Sequence, residues 1–151
     1  MSRPVLMVST QGGHLTQLLV LESWWRNHDR VWVCPDTPDV ADRLSDERVI
    51  PSWSPTTRNL PNTLRNLALA IRVLRRERPA IVVSAGAGVA VPFFVVAWLM
   101  RIPTVFIEVY DRVDSPTLTG RLCGPFTTRR IVQWEQQLAF YTDAHLVGPL
   151  M

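Results

Sequence analysis

Residues 5–19 read VLMVSTQGGHLTQLL, and the reading of this stretch decides the fold. Val5–Ser9 is a continuous apolar run, as expected of a central strand buried on both faces. Gly12 and Gly13 turn the chain, and Leu15–Trp25 reads as a helix. The same rhythm continues outward. Arg30–Cys34 (RVWVC) reads as a second strand, and Val49–Trp53 as a shorter third. Ala80–Ser84 (AIVVS) follows as the fourth, Pro103–Val109 (PTVFIEV) as the fifth, Arg130–Trp134 as the sixth and Ala144–Val147 as the seventh. Strands alternating with helices predict a doubly wound, Rossmann-like α/β domain over residues 1–151, with a parallel sheet covered on both faces.

The helices between the strands carry their own patterns. Leu60, Leu64, Leu67, Ile71 and Leu74 recur at four- and three-residue steps and form one apolar stripe, which Pro79 ends. Arg58, Arg65, Arg72 and Arg76 lie opposite these leucines, as a solvated face or as a basic surface for anionic headgroups. Gly88–Met100 (GVAVPFFVVAWLM) is about thirteen residues long, against roughly 20 needed to span a bilayer. It therefore reads as a buried helix, apolar enough for one face to meet lipid. Thr117–Cys123 is a short helix, with Asp114 or Ser115 expected as its cap.

Composition excludes several classes. All 16 basic residues are arginine and the formal charge is only +3, which argues for no nucleic-acid partner. Arginine does suit phosphate and carboxylate recognition, because its planar fork donates two parallel hydrogen bonds. Cys34 and Cys123 lack Cys-x-x-Cys or Cys/His spacing, so neither a zinc site nor a disulfide framework is expected. A reduced, cytoplasmic setting fits. No metal and no cofactor is expected. The N-terminus runs straight into the first strand without the apolar region of a signal peptide.

In open parallel sheets, ligands bind beyond the carboxyl ends of the strands where strand order reverses. In the common order that point lies between the first and fourth strands. Both end here in glycine-bearing loops, Ser9-Thr10-Gln11-Gly12-Gly13-His14-Leu15 and Ser84-Ala85-Gly86-Ala87-Gly88-Val89. Gly12, Gly13, Gly86 and Gly88 are candidate contacts for a phosphorylated ligand. The first loop is not G-x-G-x-x-G, which disfavours a nicotinamide oxidoreductase, although Asp36 imitates its ribose-binding acid. His14 stands at the crevice, either as a general base or acceptor contact, or as a residue that merely caps the turn. Acidic candidates gather after the fifth and sixth strands: Glu108, Asp111, Asp114 and Glu135. Glu108, late in a buried strand, points to function or to a paired charge such as Arg112.

At these residues the sequence resembles a known family. STQGGHL, PTTRNLPNTLRNL, VVSAGAGVAVPF, IPTVFIEVYDRVDSPTLTGRLC, IVQWEQQLAFY and the closing VGPL look like PssD-type exopolysaccharide glycosyltransferase subunits. These are relatives of the membrane subunit of the eukaryotic two-part N-acetylglucosaminyltransferase. More distantly, the sequence resembles the N-terminal domain of MurG. The resemblance implies one half of a GT-B glycosyltransferase, with a separate PssE-like subunit holding the donor. It implies inverting transfer from a UDP-sugar to a lipid diphosphate-linked saccharide in polysaccharide synthesis, peripheral on the inner face of the plasma membrane. By position, His14 and Glu108 match catalytic residues of the MurG-like site, and the four glycines match its backbone loops. Asp111 and Glu135 are further substrate-binding candidates. The eukaryotic subunit has an N-terminal membrane helix that this sequence does not show.

Two other function classes compete. One is a non-catalytic scaffold that recruits and activates a catalytic partner. The other is a stand-alone nucleotide-binding enzyme, a dehydrogenase or epimerase, disfavoured by the missing fingerprint and the small size. The first reading further expects no transfer by the isolated chain, and an apolar surface where the partner docks.

Overall fold

The computed structural model describes residues 3–56, 58–110, 112–113, 115–141 and 143–150. Asp111 and Asp114, singled out above, lie outside the described residues. Seven strands form one parallel sheet: β1 (Val5–Val8), β2 (Arg30–Pro35), β3 (Val49–Ser52), β4 (Ile81–Ser84), β5 (Thr104–Ile107), β6 (Arg129–Val132) and β7 (His145–Leu146). Their order is β3-β2-β1-β4-β5-β6-β7. Chain direction across the sheet therefore reverses between β1 and β4, which pair in register from Val5 with Ile81 to Val8 with Ser84. This is the expected switch point.

Because side chains alternate along a strand, the two faces of β1 feed two separate cores. Val5 and Met7 pack with Leu15, Leu18, Trp25 and Trp32 beneath α1 (Gly13–Leu19), α2 (Glu22–Trp25) and α3 (Pro38–Arg43). Leu6 and Val8 pack with Leu69, Val73, Phe93 and Phe106 beneath α4 (Leu60–Glu77) and α5 (Ala90–Leu99). The last helix, α6 (Leu118–Cys123), packs beside α5.

Local chemistry changes three expectations. The helix expected over Leu15–Trp25 starts earlier and is broken into α1 and α2. At the break the Leu18 carbonyl accepts from Leu21 N–H at 3.1 Å and from the Trp25 indole N–H at 3.0 Å, which ties α2 back to α1. The six-residue α3 was not expected; its signal is Thr37-Pro38, where the Thr37 hydroxyl caps Val40 N–H and proline takes the first turn. The cap of α6 is Thr117, whose hydroxyl accepts from Gly120 N–H at 3.0 Å, rather than Asp114 or Ser115.

The largest departure concerns α4. Its buried face carries Asn62, Asn66, Leu69, Ala70, Val73 and Leu74, whereas Leu60, Leu64 and Ile71 of the leucine stripe are exposed. The two asparagines set this rotation. Asn66 exchanges two hydrogen bonds with the Trp53 backbone, at 2.9 and 3.0 Å, and the Asn62 amide donates to the Pro55 carbonyl at 2.8 Å. Turning the leucines inward would strand these backbone groups without partners. Arg65, Arg72, Arg75 and Arg76 are exposed as well, so solvent meets leucines and arginines on one helix. Leu64→Ser should accordingly change the unfolding free energy by less than about 0.5 kcal/mol. Leu69→Ala, which opens a core cavity, should cost about 2–5 kcal/mol; urea unfolding of both variants separates the two faces.

The apolar helix α5 is buried along most of its length, as expected, but ends in exposed Trp98, Leu99 and Met100. No helix among the described residues is long and apolar enough to cross a membrane.

Candidate functional site

The two glycine loops lie side by side. His14 Nδ1 sits 3.1 Å from the Ala85 carbonyl, so a hydrogen bond from the first loop closes onto the second. A carbonyl can only accept, which places the proton on Nδ1 and leaves Nε2 as the lone-pair nitrogen. No described residue hydrogen-bonds Nε2. Gly86 lets the ring approach. Its φ is +119°, and a Cβ there would lie 3.1 Å from both Nδ1 and Cε1 of His14. Ser84 closes this turn by accepting from Gly86 N–H at 3.1 Å. Gly86→Ala should lower the unfolding free energy by about 1–3 kcal/mol and push the imidazole aside, visible as a shifted His14 Cε1–H resonance.

The other glycines have different surroundings. Gly12 N–H donates to the Asp39 carboxylate at 2.9 Å, and Arg43 donates to the Gly12 carbonyl at 3.2 Å and to Thr16 Oγ1 at 2.6 Å. A protein carboxylate thus already occupies the amide expected to face a phosphate. Gly88 packs on Thr56, whose Oγ1 would lie 2.8 Å from a Cβ. Gly13 lines a cavity of about 520 Å³, together with His14, Thr16, Gln17, Val109, Tyr110, Arg112 and Thr117. Of the four expected glycine contacts, Gly13 alone lines this cavity.

Glu108 is fully buried and does not line the cavity. Its carboxylate accepts from Val109 N–H at 3.0 Å, from Thr117 N–H at 3.3 Å, from the Thr117 hydroxyl at 3.0 Å, and from the Tyr141 hydroxyl. The expected pairing with Arg112 is absent among the described residues, and neutral donors surround the acid instead. Burial, and then the bond to Glu108, push the Tyr141 phenol well above its ordinary range, so it remains a donor. The Arg130 guanidinium stacks 3.9 Å from the Tyr141 ring centroid and donates to the Gly120 carbonyl at 3.1 Å. In this arrangement Glu108 joins the end of β5, the start of α6 and the segment at Tyr141. Its carboxylate oxygens are thus held by the protein's own donors.

Glu135 is exposed in the first turn of a short 3-10 helix (Glu135–Ala139) and lies outside the cavity lining. Its neighbours are the residues with work in the site. Gln133 is buried and donates to Gln17 Oε1 at 2.6 Å and to the Glu108 carbonyl at 3.0 Å, and it accepts from Leu150 N–H at 3.0 Å. Gln137, also buried, accepts from the N–H groups of Gln133 and Trp134 at 2.8 and 3.0 Å and donates to the Arg112 carbonyl at 2.8 Å. The Trp134 indole donates to the Tyr110 carbonyl at 2.6 Å. The QWEQQ stretch is thus the buttress of the cavity wall. Its available signal was a pair of glutamines at i and i+4 flanked by apolar residues.

Both cysteines are buried, and burial pushes each thiol up to about 12, which leaves them unreactive at neutral pH. No group of three or more metal-ligating side chains occurs among the described residues.

The sequence and the fold are similar to those of known proteins. Residues 47–150 match the sequence profile of a family described as "Oligosaccharide biosynthesis protein Alg14 like". The UDP-N-acetylglucosamine transferase subunit ALG14 of Debaryomyces hansenii is 30% identical, over 72% of this chain and 47% of its own length. A Clostridium botulinum protein is 31% identical over 53% of this chain and 22% of its own length. It is a UDP-N-acetylglucosamine–N-acetylmuramyl-(pentapeptide) pyrophosphoryl-undecaprenol N-acetylglucosamine transferase. Among solved structures, UDP-N-acetylglucosamine 2-epimerase from Rickettsia bellii superposes with a TM-score of 0.76 at 13% identity, over 100% of this chain and 46% of its own. At that identity the likeness speaks for the fold alone. The chain spans less than half the length of each of these proteins.

Proposed function

Since the chain belongs to the Alg14-like family of oligosaccharide biosynthesis proteins, we propose that it is the acceptor-binding subunit of a two-part inverting glycosyltransferase. The donor is a UDP-sugar, and UDP-N-acetylglucosamine is favoured by the names of both sequence relatives. The acceptor is a saccharide linked to a lipid diphosphate, as the pyrophosphoryl-undecaprenol in the name of the bacterial relative suggests. A separate PssE-like polypeptide supplies the donor-binding half of the GT-B cleft.

The observation that carries this reading is His14. Its ring is held by the Ala85 carbonyl through Nδ1, which turns the tautomer so that Nε2 is the basic nitrogen beside a cavity at the switch point. In the reaction, the acceptor hydroxyl gives its proton to Nε2 while its oxygen attacks the anomeric carbon of the donor. The bond to the diphosphate oxygen of UDP breaks, and configuration inverts. Glu108 acts at a distance, by fixing the wall from Val109 to Thr117.

Contact with the membrane is peripheral, on the inner face of the plasma membrane. Exposed Leu60, Leu64 and Ile71 with Arg65, Arg72 and Arg76 on α4 supply apolar contacts and cations for anionic headgroups. Each such arginine is worth about 1 kcal/mol near a charged leaflet.

The test is reconstitution with a candidate donor-binding polypeptide. Labelled UDP-N-acetylglucosamine is supplied with a polyprenyl diphosphate-linked saccharide. Labelled lipid product from the pair and none from either chain alone is the expected result. Efficient turnover by this chain alone would overturn the proposal.

A further inference from the structure

We propose that Arg112 makes the cavity beside His14 a diphosphate site, its guanidinium recognising a diphosphate carried by a lipid or by a nucleoside. The proposal deepens the acceptor-binding reading and rests on it only for the lipid source.

The charge pattern comes first. Arg112 lines the cavity with His14, Thr16, Gln17 and Thr117, and no carboxylate lines it among the described residues. Three arginines near the ends of the sheet are matched by carboxylates: Arg30 with Glu47 at 2.8 Å, Arg43 with Asp39 at 3.5 Å, Arg48 with Glu77 at 2.5 Å. Arg112 is exposed, and among the described residues its guanidinium hydrogen-bonds Ser115 Oγ, at 3.4 Å. A guanidinium can donate two parallel hydrogen bonds to two oxygens of one anion.

The way this arginine is held is the second, independent observation. Side chains charged and exposed are usually mounted on freely moving backbone, but here the mount is gripped. Gln137 donates to the Arg112 carbonyl at 2.8 Å and to the Val109 carbonyl at 3.4 Å. Trp134 donates to the Tyr110 carbonyl between them at 2.6 Å. Gln137 is itself locked, because its carbonyl oxygen accepts two backbone N–H groups. A buried amide thus fixes the backbone from which the exposed Arg112 side chain leaves the wall. Fixing the donor before the ligand arrives lowers the ordering cost of binding.

The third observation is what the glycine turn does not offer. Gly12 N–H is taken by Asp39, so a phosphate cannot rely on that amide. Arg112, which lines the same cavity as His14, supplies the positive charge that this turn does not.

The test is calorimetric titration of the chain with inorganic pyrophosphate at low ionic strength. Arg112→Gln should weaken binding about tenfold or more, through loss of a charge-assisted bidentate contact. Arg112→Lys should recover part of it as a point charge, and Arg101→Gln, at an exposed arginine outside the cavity lining, should bind as the unaltered chain does. Thermal melting of each variant checks the fold, and Arg112→Lys keeps the test decisive if Arg112→Gln does not fold. Competition then assigns the source. Displacement of pyrophosphate by farnesyl diphosphate supports a lipid ligand, and displacement by UDP alone supports a nucleoside ligand and removes the acceptor assignment. Equal pyrophosphate affinity in Arg112→Gln and the unaltered chain, or none in either, would overturn the proposal while leaving the transfer assay to judge the enzyme.

Discussion

His14→Ala lowers sugar transfer by the reconstituted pair by about 10²–10⁴-fold, the contribution expected of a positioned general base. The size follows from what the side chain does at each nitrogen. Nδ1 spends its proton on the Ala85 carbonyl, and that bond alone fixes the ring plane beside Gly86. Losing it costs about 1 kcal/mol of stability, too little to unfold the chain. Losing Nε2 removes the acceptor for the hydroxyl proton. His14→Asn is the sharper variant, because its amide can still donate towards Ala85 while offering no base. It should lower kcat nearly as much as alanine with KM little changed. Full activity in both variants, with assembly intact, would favour a scaffold whose partner holds all the chemistry.

Glu108→Ala should lower the unfolding free energy by about 3–5 kcal/mol, because several buried donors lose their shared acceptor at once. Those donors are the N–H groups of Val109 and Thr117 and the hydroxyls of Thr117 and Tyr141. They belong to three segments, so the damage spreads from the end of β5 to the cap of α6 and to Tyr141. Tyr141→Phe removes one donor and should cost about 1–2 kcal/mol. Urea unfolding reads both. A Glu108→Ala chain as stable as the unaltered one, yet inactive in the pair, would return Glu108 to a chemical role at the substrate.

The fold was legible because its signals are local. Apolar runs such as VLMVS and AIVVS can be satisfied only between neighbouring strands, and the glycine turns after them mark where β1 and β4 open. That placed His14 against the Gly86 turn. What the sequence did not show depended on partners elsewhere in the chain. The α4 leucine stripe was ambiguous because a helix turns inward whichever face has the greater need, and Asn62 and Asn66 had backbone at Trp53 and Pro55 to satisfy. Glu108 read as a site acid because the sequence cannot show Tyr141 and Thr117 closing over it. Glu135 drew attention by its charge, while the neutral glutamines beside it hold the wall. Asp39 occupies the Gly12 amide, and the proposed phosphate contact passes to Arg112, which lines the cavity with Gly13 and His14.

The acceptor assignment is tested most directly by photo-crosslinking the assembled pair with two probes, a polyprenyl diphosphate saccharide and a UDP-sugar, each bearing a photoreactive group. The account predicts that the lipid probe labels this chain within residues 13–17 or 109–117, and that the UDP-sugar probe labels chiefly the partner. Lipid label confined to the partner, with this cavity labelled by the UDP-sugar probe, would contradict it.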